Sequence, residues 1–368
     1  MRIFLMTFID SHYTGINSKV LSQRDALINL GHECKAGFFV HSNDGNITYE
    51  IDGKTIRNYN SKFFKIERHV KLSHILQWIE DNGIQLVYFR YAVCANPSMI
   101  NFFKKLKRKG IKVITEIPTF PYDKEIMNNS FTSFSYYIHK YFRKGMLKQS
   151  DIILTFSDDK EIFGLPATII NNAMNSNDCP LKKCIPLGDE FHLIGVANIS
   201  YWHGFDRIVR SIREYNNNPD GLKIIFHIVG GDCNYQDYTD LVNLVKECGV
   251  TDNVIFHGAK TGEELNRLFD ISHMAVGSLG RHRSGISVLK ALKNNEYACR
   301  GIPFMYSETN PLYDEENYIY KVRPDESTID LDDVIRFYKG LNSAPVNIHE
   351  NFMTKHLTWE HQFQKIGL

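Results

Sequence analysis

The sequence predicts an α/β protein of two Rossmann-like, doubly wound domains in tandem, residues 1–186 and 187–345, with a C-terminal helix over 346–368 packing back on the first. Three observations carry that expectation. Short apolar runs alternate with amphipathic stretches along both halves, as parallel strands joined by crossover helices require. The stretch "CPLKKCIPLGDE" (179–190) interrupts the alternation with Pro, Lys and Gly and no periodicity, which reads as a linker. At 368 residues and 43% hydrophobic, the chain suits two cores better than one.

Element by element, "RIFLMTF" is a buried strand, "INSKVLSQRDALINLGH" an amphipathic helix stopped at Gly31, and "ECKAGFFV" the next strand, a complete βαβ unit. The order recurs in "HILQWIEDNGIQLVYFRY", "MINFFKKLKRKGIKVITEI" and "GMLKQSDIILTFS", and ends at "ATIINNAM". A second series starts at "FHLIGVANI" and continues through "FDRIVRSIREY", "LKIIFHIVGG", "YTDLVNLVKECGV", "NVIFHGA", "GEELNRLFDIS" and "HMAVGSL" to "YIYKV". The tail "TKHLTWEHQFQKI" (354–366) has apolar residues at helical spacing and is expected as one closing helix. Ligands of such sheets lie beyond the carboxyl ends of the strands, and with two domains the cleft between them is the expected site.

The net charge of +1 conceals a division. Residues 1–186 hold 25 Lys and Arg against 17 Asp and Glu, the remainder 18 against 25. The positive residues cluster in "KFFKIERHVK" (62–71), "KKLKRKGIK" (104–112) and "HKYFRKGMLK" (139–148). Two of these runs interleave aromatics with cations, which suits an anionic membrane surface, although solvated helix faces account for each run alone. No nucleic-acid reader motif accompanies the charge, so no nucleic-acid partner is expected. The chain has no apolar run of about 18 residues, and "MRIFLMTFID" meets Asp10 too early for a signal-peptide core. It is expected in the cytoplasm, with peripheral contact at the inner face of the plasma membrane. Its seven cysteines are odd in number and scattered, which predicts reduced thiols and no zinc.

Several residues could carry chemistry. Lys293 and Glu296 share a helix face three residues apart, either as a solvated ion pair or as part of a rim with Arg281, His282 and Arg283 of "SLGRHRSGIS". Cations there suit a diphosphate, and an acceptor-only carboxylate suits a diol. Gly15 precedes a helix in "IDSHYTGINSKV", where backbone N–H groups can approach an anion, and a plain tight turn fits equally. In "GVANISYWHGFDRI", His203, Gly204 and Arg207 could meet a phosphate at a helix start, or merely cap a surface helix. Gly230 ends a strand in "HIVGGD", as nucleotide pockets commonly require. The only D-x-D, Asp330 to Asp332, precedes a late helix and reads as an N-terminal charge cluster, so no metal site is expected.

The order "VANISYWHGFDRI", "HIVGGD", "NVIFHGA", "AVGSLGRHRSG" and "EYACRGIPF" resembles the C-terminal donor domain of GT-B glycosyltransferases. The similarity is to the large retaining family 4 that includes sucrose synthases and many bacterial capsule and lipopolysaccharide enzymes. "TGINSK" with "LINLGHE", and "IINNAMN" before the linker, extend it over nearly the whole chain. The resemblance implies that Glu296 binds the donor ribose and that Lys293 lies near the diphosphate. It also exposes departures. Asn198 and His203 stand where the family has Arg and Lys, which leaves Arg207, Arg283 and Lys293 as candidate phosphate cations. The family's first glutamate falls on Val288, so a sugar contact is missing or moved to the 281–285 loop. Glu116 ends a strand where many relatives have a histidine; it either faces the reacting sugar or pairs with Arg90, and Arg90 and Tyr91 of "YFRY" are candidate acceptor contacts.

The expected protein moves a sugar from a nucleoside diphosphate sugar to a glycan or lipid-linked acceptor, with retention and without metal or cofactor, in bacterial surface polysaccharide synthesis. A non-catalytic scaffold of the same fold and a sugar-nucleotide epimerase are the alternatives.

Overall fold

The computed structural model describes residues 1–368 except 11–13, 43–44, 60–63, 124–132, 176–178, 219–220, 232–235 and 342. The chain forms two compact units, one of Met1–Asn171 with Trp359–Leu368, the other of Asn172–Thr358.

The first unit is built on an eight-stranded sheet. Its strands are β1 (Arg2–Asp10), β2 (Glu33–His41), β3 (Ile47–Ile51), β4 (Lys54–Tyr59), β5 (Leu86–Arg90), β6 (Lys112–Ile117), β7 (Ile152–Thr155) and β10 (Thr168–Ile169), with β8 (Glu161–Ile162) and β9 (Leu165–Pro166) as a separate hairpin. The order is β10-β7-β6-β5-β1-β2-β3-β4. All neighbours are parallel except β2–β3 and β3–β4. β1 is buried continuously from Ile3 to Phe8, as a central parallel strand covered on both faces must be. The β3–β4 hairpin is absent from the sequence reading. Its signal was "IDGK": Asp52 and Gly53 both take positive φ, 46° and 75°, the backbone that a two-residue Asp-Gly turn favours.

The helix Pro97–Arg108 shows how this sequence makes its elements. Asn96 caps it by accepting from the Met99 N–H at 3.0 Å, and Pro97 occupies a first-turn position where its missing N–H costs nothing. Met99, Phe102, Phe103 and Leu106 recur at helical spacing and are buried, each contributing about 1.5–3 kcal/mol. Lys105, Lys107 and Arg108 complement the negative end of the helix dipole. Ile100 meets Gly145 of the helix Ser133–Leu147, where a Cβ would lie 3.3 Å from the Ile100 Cδ1.

The second unit has six parallel strands: β11 (Glu190–Val196), β12 (Lys223–Val229), β13 (Val254–Phe256), β14 (Met274–Val276), β15 (Phe304–Tyr306) and β16 (Ile319–Lys321), in the order β13-β12-β11-β14-β15-β16. From β11 the chain winds outward through β12 and β13, then returns to the other side of β11 for β14, β15 and β16. The order therefore reverses between β11 and β14.

Two boundaries differ from the sequence reading. Residues 172–186 belong to the second unit, tied down by Met174 N–H to the Leu357 carbonyl and Lys182 N–H to the Arg300 carbonyl, both at 2.9 Å. The tail is two helices rather than one. Pro345–Thr354 buries Ile348 and Phe352 in the second unit, and Trp359–Gln364 joins the first. His356, at φ 55°, breaks the run, and Leu357 is buried beside it. In the first unit Trp359 packs edge-on to Phe156 and Phe363 edge-on to Tyr88. Gln362 Oε1 accepts from the Asn171 N–H at 2.9 Å.

Candidate functional site

The loops that follow β11 and β14 flank the reversal of strand order in the second unit, where open parallel sheets bind ligands. They are stitched together by backbone: the Leu279 N–H donates to the His203 carbonyl at 2.9 Å and the Gly280 N–H to the Trp202 carbonyl at 3.3 Å. Gly204 makes that approach feasible. At φ 66°, a Cβ there would lie 2.7 Å from the Gly280 nitrogen, so any other residue would force the loops apart. Gly230 serves a similar purpose at the end of β12, since its Cβ would lie 2.2 Å from the Ala197 carbonyl oxygen.

Lys293 sits at the start of the helix Leu292–Cys299, with its Nζ buried and without a hydrogen-bond partner, 5.7 Å from the centre of the Phe205 ring. Burial, reinforced by Arg281 and opposed by Glu308, brings its pKa down to about 7. The residue before this helix is Ala291, which has no side chain to cap the first N–H groups. No side chain therefore caps the positive end of the helix beside the lysine, although the Asn294 N–H donates to the Ala291 carbonyl at 3.1 Å. His203 is buried nearby, and its Nδ1 accepts from the Ser200 N–H at 3.0 Å, so a neutral ring carries its hydrogen on Nε2. Burial, then Lys293 and Arg281, hold it well below the usual histidine range. An uncapped helix start, a buried lysine and a histidine that stays neutral make a place for an anion that brings its own charge.

Three further residues of this region escaped the sequence reading. Glu308, Asn294 and Ser278 are buried, and neither oxygen of Glu308, neither amide atom of Asn294, nor the Ser278 hydroxyl has a hydrogen-bond partner. Only burial distinguishes them from ordinary polar residues in "SETN", "LKNNE" and "VGSL", and burial is not written in a short stretch of sequence.

The other expected donor contacts are placed differently. Arg207 is 1% exposed and donates to the carbonyls of Leu279, Ser327 and Arg323 at 2.6, 2.9 and 3.0 Å, so it holds loops together and is not free to meet a phosphate. Arg283 grips both oxygens of Asp206, at 2.8 and 3.0 Å, and also both oxygens of Glu326. Its guanidinium, with His282, holds Glu326 down to about 2. Arg281 lies over the Trp202 ring at 5.6 Å, and Asn198 is exposed in the loop after β11. Glu296 does not pair with Lys293; its Oε1 accepts from Arg300 Nε at 2.9 Å, and Arg300 continues to Asn266. A groove of about 400 Å³ beside Gly204 presents Asp206, Asp237, Asp240 and Glu247 against Arg210 and Arg283, an excess of carboxylates that disfavours a diphosphate.

In the first unit Glu116 is fully buried and completely engaged. Its Oε1 meets Arg90 at 2.5 Å and Lys19 at 3.4 Å, while Oε2 accepts from Gln23 at 2.6 Å and Tyr88 at 2.7 Å. Burial would raise its pKa, but Lys19 and Arg90 outweigh burial and hold it low. This is the strand-end glutamate paired with Arg90, and no face of it is left for a reacting sugar. Lys19 in turn lies 3.7 Å from the centre of the Phe156 ring, and burial pushes it down to about 7 against the pull of Glu116. Tyr91 is buried too, with its hydroxyl on Tyr122 at 2.9 Å and His139 at 3.0 Å. Gly15 falls in the first turn of the helix Thr14–Asn29; the loop before it, 11–13, lies outside the described residues.

No protein-family model and no curated protein matches the chain. Solved structures match it from end to end. Sucrose-phosphate synthase from Thermosynechococcus elongatus is 15% identical with a TM-score of 0.71, covering 100% of this chain and 97% of that one. A glycosyltransferase from Rickettsia africae is 12% identical with a TM-score of 0.66, covering 99% and 96%. Anabaena HepE, solved in complex with UDP, is 11% identical with a TM-score of 0.64, covering 100% and 98%. Likeness at these identities is likeness of fold, and the chain has the GT-B fold of glycosyltransferases, with one Rossmann-like sheet in each unit.

Proposed function

We propose that the protein is a glycosyltransferase that takes a nucleoside diphosphate sugar at the β11–β14 reversal of its second unit and passes the sugar to a glycan or lipid-linked acceptor. The observation that carries this reading is the buried, unpartnered ammonium of Lys293 beside an uncapped helix start. Departure of a nucleoside diphosphate builds negative charge on the diphosphate, and fixed positive groups aimed there stabilise the transition state. Lys293 and the N–H groups of Leu292 and Lys293 supply that charge from the protein, so the proposed reaction is independent of a divalent metal. Retention of the anomeric configuration rests on the resemblance of "EYACRGIP" to retaining enzymes. Glu296 is proposed as the ribose contact through the carboxylate oxygen that Arg300 does not take.

The acceptor side rests on the surface of the first unit. The helix Ser133–Leu147 exposes Tyr137 and Tyr141, 63% and 81% accessible, with Lys140 and Lys144 between and beside them. The helix Pro97–Arg108, which packs on it, exposes Lys104, Lys105, Lys107 and Arg108. Tyrosines interleaved with lysines suit a membrane interface carrying anionic headgroups. None of the described helices is long and apolar enough to cross a membrane. The proposal therefore places the protein peripherally at the cytoplasmic face, acting in surface polysaccharide synthesis.

The test is turnover of UDP-, GDP-, ADP- and CMP-sugars with and without a lipid-linked acceptor fraction. A transferase releases nucleotide only with acceptor, and proton NMR of the product shows the donor's anomeric configuration. Release of an altered sugar without acceptor would mark an epimerase, and failure to bind any of the four a scaffold.

A further inference from the structure

We infer that Glu308 reads the hydroxyl groups of the transferred sugar, so that the donor accepted must present free hydroxyls on the edge that meets it. The inference rests on the nucleotide-sugar reading above and names the part of the donor that this side of the site takes.

Among the described residues two glutamates are almost wholly buried, and the chain treats them oppositely. Glu116 receives two cations and two neutral donors. Glu308 is 2% exposed, and neither carboxylate oxygen accepts a hydrogen bond from another residue, although Lys321 Nζ reaches its backbone carbonyl at 2.5 Å. A buried carboxylate without donors is costly, and a fold that equips one so fully has no structural need to strand another. Glu308 is not stranded alone. Ser278 is joined to the residue before it, its carbonyl accepting from the Ser307 N–H at 2.9 Å, and the Ser278 hydroxyl is unpartnered. Asn294 Oδ1 lies 3.1 Å from the position a Cβ on Gly277 would take, and both of its amide atoms are unpartnered. Lys293 joins the group and interacts electrostatically with Glu308, as do Arg281 and Lys321.

The chemistry of the set selects the ligand. Lys293 only donates, Glu308 in its charged form only accepts, and Asn294 and Ser278 do both. A phosphate oxygen accepts only, so it satisfies Lys293 and is repelled by Glu308. A sugar hydroxyl donates and accepts at once, so a ring with adjacent hydroxyls satisfies Glu308, Asn294 and Ser278 while the attached phosphate takes Lys293. The backbone supports the placement. Val288, the position left without a carboxylate in the sequence, is bridged to Thr309, the neighbour of Glu308, through Leu289 N–H to the Thr309 carbonyl at 2.9 Å and Thr309 N–H to the Ser287 carbonyl at 2.8 Å. Of the 281–285 loop, Arg283 and His282 are spent on Glu326, while Arg281 acts electrostatically on Glu308 and Lys293.

The experiment uses the full chain, the lipid-linked acceptor fraction, the nucleoside diphosphate among UDP, GDP and ADP that stabilises the wild type most, the matching sugar nucleotide, and a series of donors with single ring hydroxyls replaced by hydrogen. The wild type is expected to discriminate by at least about 100-fold in kcat/KM against the deoxy donor at one or more positions. Glu308→Gln, close in shape, and Glu308→Ala should still bind the free nucleoside diphosphate, which shows the site to be folded, and should lose most of the discrimination at the same positions. Unchanged discrimination in both variants overturns the inference, as does equal weakening of diphosphate and sugar nucleotide. If the wild type binds none of the three diphosphates, the parent reading fails and this one with it; if it binds one and the discrimination is indifferent to Glu308, this one fails alone.

Discussion

Lys293 and Glu308 attract one another from buried positions in the second unit, yet neither the ammonium nor the carboxylate makes a hydrogen bond. A closed ion pair would settle both charges, as Arg90 and Lys19 settle Glu116 in the first unit. Left open, the two groups mark out a site whose remaining bonds a ligand can supply.

The first prediction concerns pH. Burial, then Arg281, holds Lys293 near 7 in the free protein, against the pull of Glu308; His203 nearby remains neutral. A bound diphosphate favours the charged lysine and raises its pKa. Above pH 7, binding must therefore take up a proton, and affinity for nucleoside diphosphate should fall by up to about tenfold per pH unit. Titration calorimetry at pH 8 in buffers of different ionisation enthalpy should show uptake approaching one proton, and none for Lys293→Met.

Glu116→Gln should act on stability. It leaves Lys19 and Arg90 buried without their carboxylate, a loss of about 3–5 kcal/mol, read as a lower midpoint in urea. Adding Lys19→Met should recover part of that loss, because the buried amine left without its carboxylate is then gone. A variant with unchanged midpoint and abolished turnover would instead return Glu116 to the chemistry.

Arg207 should behave in the same way in the second unit. Arg207→Met removes the donors to three carbonyls, those of Leu279, Ser327 and Arg323, at a cost of about 3 kcal/mol. Thermal melting should show the drop, while the folded fraction keeps its affinity for nucleoside diphosphate within about threefold.

Acid should destabilise the protein through its buried histidines. Burial is the first cause in each case and pushes His69 down to about 3 and His139 and His227 down to about 4. His139 cannot be protonated without losing the Ala95 N–H that its Nδ1 accepts. Because the folded values lie below the unfolded value of about 6.5, the unfolded chain binds more protons between them. Stability is complete above about pH 6.5 and lost as pH falls toward 4, by as much as about 1.4 kcal/mol per unit for each fully shifted group. Melting temperatures at pH 7.5, 6 and 5 should fall in that order.

Replacing Tyr137 and Tyr141 with Ser should weaken flotation of the protein with vesicles rich in phosphatidylglycerol and leave its melting temperature unchanged, since both side chains are mostly exposed. Equal flotation with neutral and anionic vesicles would remove the membrane proposal.

The sheets were legible because their strands are buried on both faces and read as unbroken apolar runs such as "IFLMTF" and "KIIFHIV". The late D-x-D was legible as well: Asp330 caps the helix Leu331–Gly340 by accepting from the Asp333 N–H at 3.0 Å. Side-chain partners were not. A cation in "FDRIV" looks the same whether it will meet a phosphate or, as Arg207 does, three backbone carbonyls. Arg283 looked equally available, and its partners lie 77 and 43 residues away, in Asp206 and Glu326. In sequence the near neighbour of Lys293 is Glu296, which pairs with Arg300, whereas its electrostatic partner in the fold is Glu308, fifteen positions along and on the next strand's loop.

The most direct test of the central claim is a thermal-shift panel of UDP, GDP, ADP and CMP, with their sugars, on the wild type and Lys293→Met. One nucleotide class at 100 times its Kd should stabilise the wild type by about 2.7 kcal/mol, and Lys293→Met, shown by its own melting transition to be folded, should lose the shift. A full shift retained by Lys293→Met, or none in the wild type with any nucleotide, would contradict the account.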